Sequence, residues 1–343
     1  MNYKKSACFM MLTAVMAGLA FSQTAQAQQT WQATLGAQSK DMGKQVVAFL
    51  PNEMWIHAGD TINWTSASGD IHTVSFLIAG QTYRDFTVGC PGFSASGTSF
   101  NGSACVSAPP LVAGQNFAVK FPKAGNYKLV CMVHTAMTGV IHVLATSATL
   151  PHTQAFYNEE AEDQTKSILA DADMGDMDMG DHDHGDRDGK RKGMLAARVL
   201  PGKNSVVAGI GEMANTAAGF ESLSVVRFLG ATIEVRVGDT VEWTNLDPAL
   251  PHTVTFGTEP GNPFPPVNVT MDPDGARHAT LNFVGDSAHS GFLVAAPQDQ
   301  AGVPQSPPGT TVFRVTFTRA GTYKYICALH DNLGMVGKVI VEP

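Results

Sequence analysis

Past its first two dozen residues the chain has no apolar run long enough to cross a bilayer, which excludes a protein that spans the membrane by helices. It has no surplus of basic residues. Lys and Arg number 22 against 30 Asp and Glu, so nothing suggests a nucleic-acid surface. Cysteine is sparse, at five in 343 residues. Histidine is also sparse, at 11. The one His-x-His pair, His182 and His184, sits in a low-complexity stretch, and no histidine adjoins Cys131 or Cys327.

What is present begins with an export signal. Lys4 and Lys5 form a charged start, an apolar stretch runs over residues 7–21, and Ala25-Gln26-Ala27 places small residues at −3 and −1 of a cleavage point. The stretch is too short, and its flanks are wrong, for a stable membrane span. A periplasmic or secreted location is expected. Cleavage removes Cys8 and leaves Cys90, Cys105, Cys131 and Cys327. Without the two signal lysines, 20 basic residues face 30 acidic ones. Residues 159–188 hold 12 of those acids and two basic residues, so the remainder is nearly neutral.

The most informative feature is an internal repeat. Val46-Val47-Ala48-Phe49-Leu50 recurs as Val225-Val226-Arg227-Phe228-Leu229. Gly59-Asp60-Thr61-Ile62-Asn63-Trp64-Thr65 recurs as Gly238-Asp239-Thr240-Val241-Glu242-Trp243-Thr244, at the same offset of 179 residues. His72-Thr73-Val74-Ser75-Phe76 returns as His252-Thr253-Val254-Thr255-Phe256, and Ala124-Gly125-Asn126-Tyr127-Lys128 as Ala320-Gly321-Thr322-Tyr323-Lys324. Within each copy, apolar and polar residues alternate over five to seven positions between turns, as in Thr232–Val237 and Thr240–Trp243. The expectation is all-β: two Greek-key β-sandwich domains, with the signal at 1–27, the first domain at 28–147, a joining segment at 148–200 and the second domain at 201–343. Within the joining segment, residues 171–189 are rich in Asp, Met, His and Gly. They cannot repay the entropy of ordering and read as a flexible linker.

Each copy ends in a set of metal-binding side chains. The first offers Cys131, His134 and Met137 on one short loop, the second Cys327, His330 and Met335. A second imidazole, His72 or His252, lies far upstream at the start of another strand. Cu(I) favours soft sulfur and Cu(II) favours imidazole nitrogen, so two His, one Cys and a weak axial Met suit copper in both states. Met132 reads as a packed neighbour of the first set. Because Cys131 and Cys327 are equivalent in the repeat, Cys90 and Cys105 are the natural disulfide pair. Closing their loop stabilises the fold by roughly 3 kcal/mol in the chain-entropy picture. Met174, Met177, Met179, His182 and His184 in the linker read either as a solvated spacer or as a weak copper-capture tract.

Both copies resemble cupredoxins of the plastocyanin, pseudoazurin and amicyanin type, over residues 31–145 and about 205–343. The second loop, Cys-x-x-His-x-x-x-x-Met, is similar to that of plastocyanins, and the shorter first loop, Cys-x-x-His-x-x-Met, to that of amicyanin. The resemblance implies one type 1 (blue) copper per domain, two in all, and one-electron transfer as the default role. By the same analogy, His134 and His330 are expected to be exposed edges through which electrons leave. Each copy departs from small cupredoxins by a long insertion between its first His and its Cys. The leading expectation is an electron carrier serving redox partners such as a periplasmic cytochrome or oxidoreductase, its domains docking separately. The alternative is periplasmic copper binding or tolerance through the Met/His linker. A multicopper oxidase or nitrite reductase-like enzyme fits less well, since those families place His beside the copper Cys.

Overall fold

The computed structural model describes residues 27–79, 81, 90, 92–134, 137–171, 202–295 and 311–343. The signal up to residue 26, and Met174, Met177, Met179, His182 and His184, lie outside the described residues.

Period-two patterning sets the strands. In the first copy these are β1 (Thr30–Gln38), β2 (Lys44–Leu50), β3 (Glu53–His57), β4 (Thr61–Ser66), β5 (Ser75–Phe76), β6 (Thr98–Ser99), β7 (Val106–Ser107), β8 (Asn116–Lys120), β9 (Gly125–Val130) and β10 (Thr138–Leu144). Helix α1 (Gln154–Asp171) follows. The second copy supplies β11 (Ser205–Asn215), β12 (Phe220–Leu229), β13 (Thr232–Arg236), β14 (Thr240–Leu246), β15 (Thr255–Phe256), β16 (Thr270–Met271), β17 (Arg277–Leu281), β18 (Ala288–His289), β19 (Val312–Phe317), β20 (Gly321–Ile326) and β21 (Val336–Glu342). Along β4, Ile62, Trp64 and Ser66 are buried while their neighbours are half-exposed, and β14 repeats the pattern with Val241, Trp243 and Asn245.

Each copy is a sandwich. In the first, the sheet β3-β10-β9-β5-β7 faces β2-β1-β4-β8-β6; in the second, β13-β21-β20-β15-β18 faces β16-β17-β19-β14-β11-β12. Aromatic side chains fill the space between sheets. Trp64 meets Phe76 at 5.9 Å between ring centroids, and Trp243 meets Phe256 at 5.6 Å and Tyr325 at 5.3 Å. Trp64, Trp243 and Phe76 are fully buried, each worth roughly 1.5–3 kcal/mol of transfer free energy or more.

The two sandwiches are not separate bodies. β2 pairs antiparallel with β12, so the two larger sheets fuse into one of 11 strands. Across this seam Ser224 faces Gln45, and Leu223 faces Val46 as Val225 faces Lys44. Gln45 and Ser224 are equivalent in the repeat, so the seam is built like a two-fold interface within one chain. This corrects the expectation that the domains dock separately.

The joining segment is also partly structured. Residues 154–171, expected to belong to the linker, form α1, whose first turn is capped by Thr153 Oγ1 accepting the Phe156 N–H at 3.3 Å. Tyr157, Ala161 and Ile168 fall on one helical face. Ile168 packs with Val46, Ala48, Leu50 and Leu223, residues from both sides of the seam. Tyr157 is fully buried and closes the free edge of β3: its hydroxyl accepts the Trp55 N–H at 2.8 Å and donates to the Trp55 carbonyl at 3.0 Å. Tyr157→Phe is expected to lose about 1 kcal/mol or somewhat more, because two edge groups lose their partner. Tyr157→Ala is expected to lose about 3–5 kcal/mol by adding a cavity. Urea unfolding of both variants checks the order.

Candidate metal centres

The first imidazole of each centre is held by a two-way backbone bridge. His72 and Leu111 exchange N–H···O bonds of 3.1 and 2.8 Å, and His252 and Leu293 exchange bonds of 3.0 and 2.7 Å. The cysteine lies just past the end of β9 or β20, and its N–H donates to the carbonyl of the loop methionine: Cys131 to Met137 and Cys327 to Met335, both at 3.0 Å. That bond closes the ligand loop in both copies despite their different lengths. The longer second loop absorbs its extra residues in a 3-10 turn at Asp331–Leu333, ended by Gly334 at φ 92°.

These supports bring the expected residues together. His72 Nδ1 lies 3.2 Å from His134 Nδ1, and Cys131 Sγ lies 3.8 Å from His134 Nδ1. In the second copy His252 Nδ1 is 3.1 Å from His330 Nδ1, while Cys327 Sγ is 3.4 Å from His330 Nδ1 and 3.9 Å from His252 Nδ1. All six side chains are buried, as are Met137 and Met335. Met132 is buried too, and its N–H donates to Thr73 Oγ1 at 2.7 Å.

The surroundings favour a thiolate. Burial alone pushes the Cys131 thiol up, but His134 and His72 overcome this and hold it well below its ordinary value. The Cys327 thiol is likewise held low against burial, by His330 and His252. Burial pulls His134 down, yet the Asp70 carboxylate and Cys131 raise it to about 10. Burial also pulls His252 down, while Asp247 and Cys327 raise it to about 9. Each sulfur faces a backbone amide: Thr73 N–H points at Cys131 Sγ (3.4 Å) and Thr253 N–H at Cys327 Sγ (3.3 Å). Two imidazole nitrogens and a thiolate aimed at one point, closed from water, form the donor set of a soft or borderline transition metal such as copper.

Sequence reasoning missed the residues behind the ligands. The Nε2 edge of His72 meets Ser68 Oγ at 2.7 Å, and that of His252 meets Asp247 Oδ2 at 3.4 Å. Above those edges sit Gly36 at φ 63° and Gly209 at φ 82°, at equivalent bulges of β1 and β11. A Cβ on Gly36 would come within 2.6 Å of His72 Nε2, and one on Gly209 would overlap His252 Nε2. The repeat register did not reveal them, since Gly36 stands 10 residues before Val46 and Gly209 stands 16 before Val225, and only the paired bulges of β1 and β11 show them equivalent. Asp70 had no counterpart in the second copy and gave no sign. Its Oδ2 lies 3.2 Å from His134 Nε2 and its Oδ1 lies 3.9 Å from His330 Nε2.

This overturns the expectation of exposed exit edges. His134 is 1% exposed and His330 is 3% exposed, and both face the junction of the domains. Among the other described histidines, His57 meets the Ala148 carbonyl and His152 stacks on Phe156. His142 meets Glu53 and Asn126, His278 meets Asp272 and Thr316, and His289 meets Thr255 and the Pro263 carbonyl. Cys90 and Cys105 are disulfide-bonded, with Cα atoms 5.4 Å apart, as expected.

The sequence matches that of copper binding proteins of the plastocyanin/azurin family over residues 36–144 and 214–342. The chain belongs to this family. It is 31% identical over 129 residues to the chloroplastic plastocyanin of Tetradesmus obliquus, covering 38% of this chain and 67% of that protein. It is 30% identical over 110 residues to the amicyanin of Paracoccus denitrificans, covering 32% of this chain and 54% of that protein. Among solved structures, the amicyanin of Paracoccus versutus is similar at 21% identity and a TM-score of 0.23, over 34% of this chain and 81% of that one. For a cupredoxin, Gly36 and Gly209 hold the first-histidine imidazoles in place. Gly209→Ala strains a positive-φ position and displaces His252, so metal uptake by the second domain is expected to be lost while the first domain keeps its own. Gly36→Ala is expected to do the converse. Copper analysis per chain, with Cys327→Ser and Cys131→Ser as references, checks both.

Proposed function

We propose that this chain is an exported electron carrier with one type 1 copper in each domain. His72, Cys131, His134 and Met137 would hold the first, and His252, Cys327, His330 and Met335 the second. The observation that carries this reading is the pair of buried His-Cys-His clusters, each with its three ligand atoms within 4.8 Å of one another and backed by a methionine tied to its cysteine. Bound copper supplies a one-electron Cu(I)/Cu(II) couple, to which this mixed donor set gives no strong bias.

The chain's own residues prepare the sites for that role. The two-way bridges at His72 and His252, and the Cys-to-Met backbone bonds, fix the ligands before metal arrives. Complete burial keeps water away from the cluster. The Thr73 and Thr253 amides stabilise charge on sulfur, and such hydrogen bonds tune the potential of a copper thiolate site. Cys131 stands between Val130 and Met132, and Cys327 between Ile326 and Ala328. With no histidine beside either cysteine, the link from blue copper to a catalytic copper is missing, which supports a carrier over an enzyme. The charged start and cleavage point at residues 1–27 support export, and among the described residues no helix is long and apolar enough to cross a membrane. Partners of a periplasmic carrier would be redox proteins such as a cytochrome or an oxidoreductase.

The copper-loaded, oxidised protein is expected to bind two copper ions per chain and to show the intense visible thiolate-to-copper band. Cys131→Ser and Cys327→Ser are each expected to remove about half of that band and one copper. A colourless protein, or a single-site variant that keeps the whole band, would sink the assignment. Further colourless Cu(I) uptake, lost on deleting residues 171–185, would instead favour copper handling by the linker.

A further inference from the structure

We propose that Asp70 is a shared bridge between the two metal centres, making them one coupled unit in which electrons pass internally along His134, Asp70 and His330. The inference rests on reading both clusters as copper sites.

Both imidazoles turn Nδ1 toward their own cysteine and so turn Nε2 outward. Those two outward edges converge on one carboxylate, with one oxygen for each domain: Oδ2 at 3.2 Å from His134 Nε2 and Oδ1 at 3.9 Å from His330 Nε2. Asp70 is buried, with 8% of its side chain exposed. A buried carboxylate is costly unless partnered. The Ile71 N–H donates to Asp70 Oδ1 at 2.7 Å, and the cationic groups beside the carboxylate are these two imidazoles. An imidazole whose far nitrogen binds metal commonly gives its other N–H to a carboxylate, which orients the ring and tunes the metal. Here one carboxylate lies beside two such rings from different domains, 3.2 Å from His134 Nε2 and, beyond direct hydrogen-bond reach, 3.9 Å from His330 Nε2.

The juxtaposition is built into the fold. Gly69, next to Asp70, lies so close to Leu333 of the second ligand loop that a Cβ there would overlap the leucine. The Arg227 guanidinium donates to the Leu333 carbonyl and to the Asp41 carbonyl, both at 2.7 Å, clamping the second ligand loop to the first domain. The β2–β12 seam fixes both domains beneath it. The repeat does not supply a second bridge. Where the first copy reads Asp70-Ile71-His72, the second reads Leu250-Pro251-His252.

The step itself is simple. One centre loses an electron, the other gains it, and no proton or outside reagent enters. The carboxylates also set its direction. Behind the first histidine, domain 2 carries Asp247 where domain 1 carries the neutral Ser68. Domain 2 therefore faces two buried carboxylates and domain 1 one. Negative charge stabilises the more positive oxidised metal, so domain 2 has the lower potential and electrons run from domain 2 to domain 1.

The test compares Asp70 with Asp70→Asn, an isosteric neutral variant, in chains with a single working site. Cys327→Ser leaves site 1 and Cys131→Ser leaves site 2, and spectroelectrochemistry reads each copper's potential. Asp70→Asn is expected to raise both, by about tenfold in the Cu(II)/Cu(I) equilibrium for site 1, or about 59 mV for one electron. The rise at site 2 is expected to be smaller. A shift at site 1 with none at site 2 would overturn the bridge. A second measurement needs no variant at Asp70. Wild-type protein with both coppers is pulse-reduced with less than one electron per chain, and the two coppers are followed by their spectra. Redistribution at a rate independent of protein concentration supports the bridge, and a rate proportional to concentration overturns it. If wild-type protein loads fewer than two coppers, the copper reading itself has failed and the bridge falls with it.

Discussion

Gln45 and Ser224 meet across the seam between β2 and β12, and most of the difference between this molecule and two unconnected sandwiches stems from that pairing. Antiparallel hydrogen bonding is directional and register-bound, because a one-residue slip would turn every side chain to the wrong face. Fixing Leu223 opposite Val46 therefore fixes the rotation of one domain on the other. It brings the second ligand loop over the first domain's Ser66–Asp70 segment, sets Leu333 against Gly69, and leaves His134 and His330 facing the same carboxylate. The distances at the metal centres are local, but the relation between the centres is a property of the seam.

Within each centre the balance of forces runs the other way, from long-range frame to short-range chemistry. A buried thiolate and imidazolium are costly to desolvate, and their mutual attraction offsets part of that cost. The low thiol at Cys131 reflects this pairing, and the raised imidazole at His134 reflects the Asp70 carboxylate first and the Cys131 sulfur second. Such a cluster is prepared for a cation: metal replaces protons on groups already held in place. The rigid supports matter because a ligand set assembled by a flexible loop would lose specificity between metals.

The fold class and the two His-Cys-His clusters were legible in the sequence because both repeat. Period-two alternation marked the strands, and the twofold recurrence of His, Cys-x-x-His and Met marked the centres. Two kinds of feature were not legible. The helix at Gln154–Asp171 packs Tyr157, Ala161, Ile168 and Leu169 inward among many acids, and a narrow stripe of that kind is hidden by a composition that otherwise reads as linker. The seam was hidden for a deeper reason. Which edge strand pairs with which is decided between domains, and the repeat describes each domain against itself. The buried state of His134 and His330 followed from the seam, so analogy with single-domain carriers misplaced their edges. Asp70 was invisible because it breaks the repeat, and a search for similarity passes over a residue that occurs once.

The same seam argues that neither domain is an independent unit. Separated, each would present the backbone groups of β2 or β12 as an open edge, a template for pairing with other chains. Val46, Ala48, Leu50 and Leu223 would also lose part of the contact they make around Ile168. Helix α1 belongs to the first domain by its Tyr157 contacts with Trp55 but covers residues of both sides of the seam. Over Gln154–Asp171 the segment that joins the copies is thus part of the interface. A covalent tether raises the effective concentration of one domain at the other, so a modest interface suffices to keep them paired. A buried carboxylate between two imidazoles is costly by itself, and on the proposed reading of both clusters as copper sites its place at the junction is explained by the metals it would stand between.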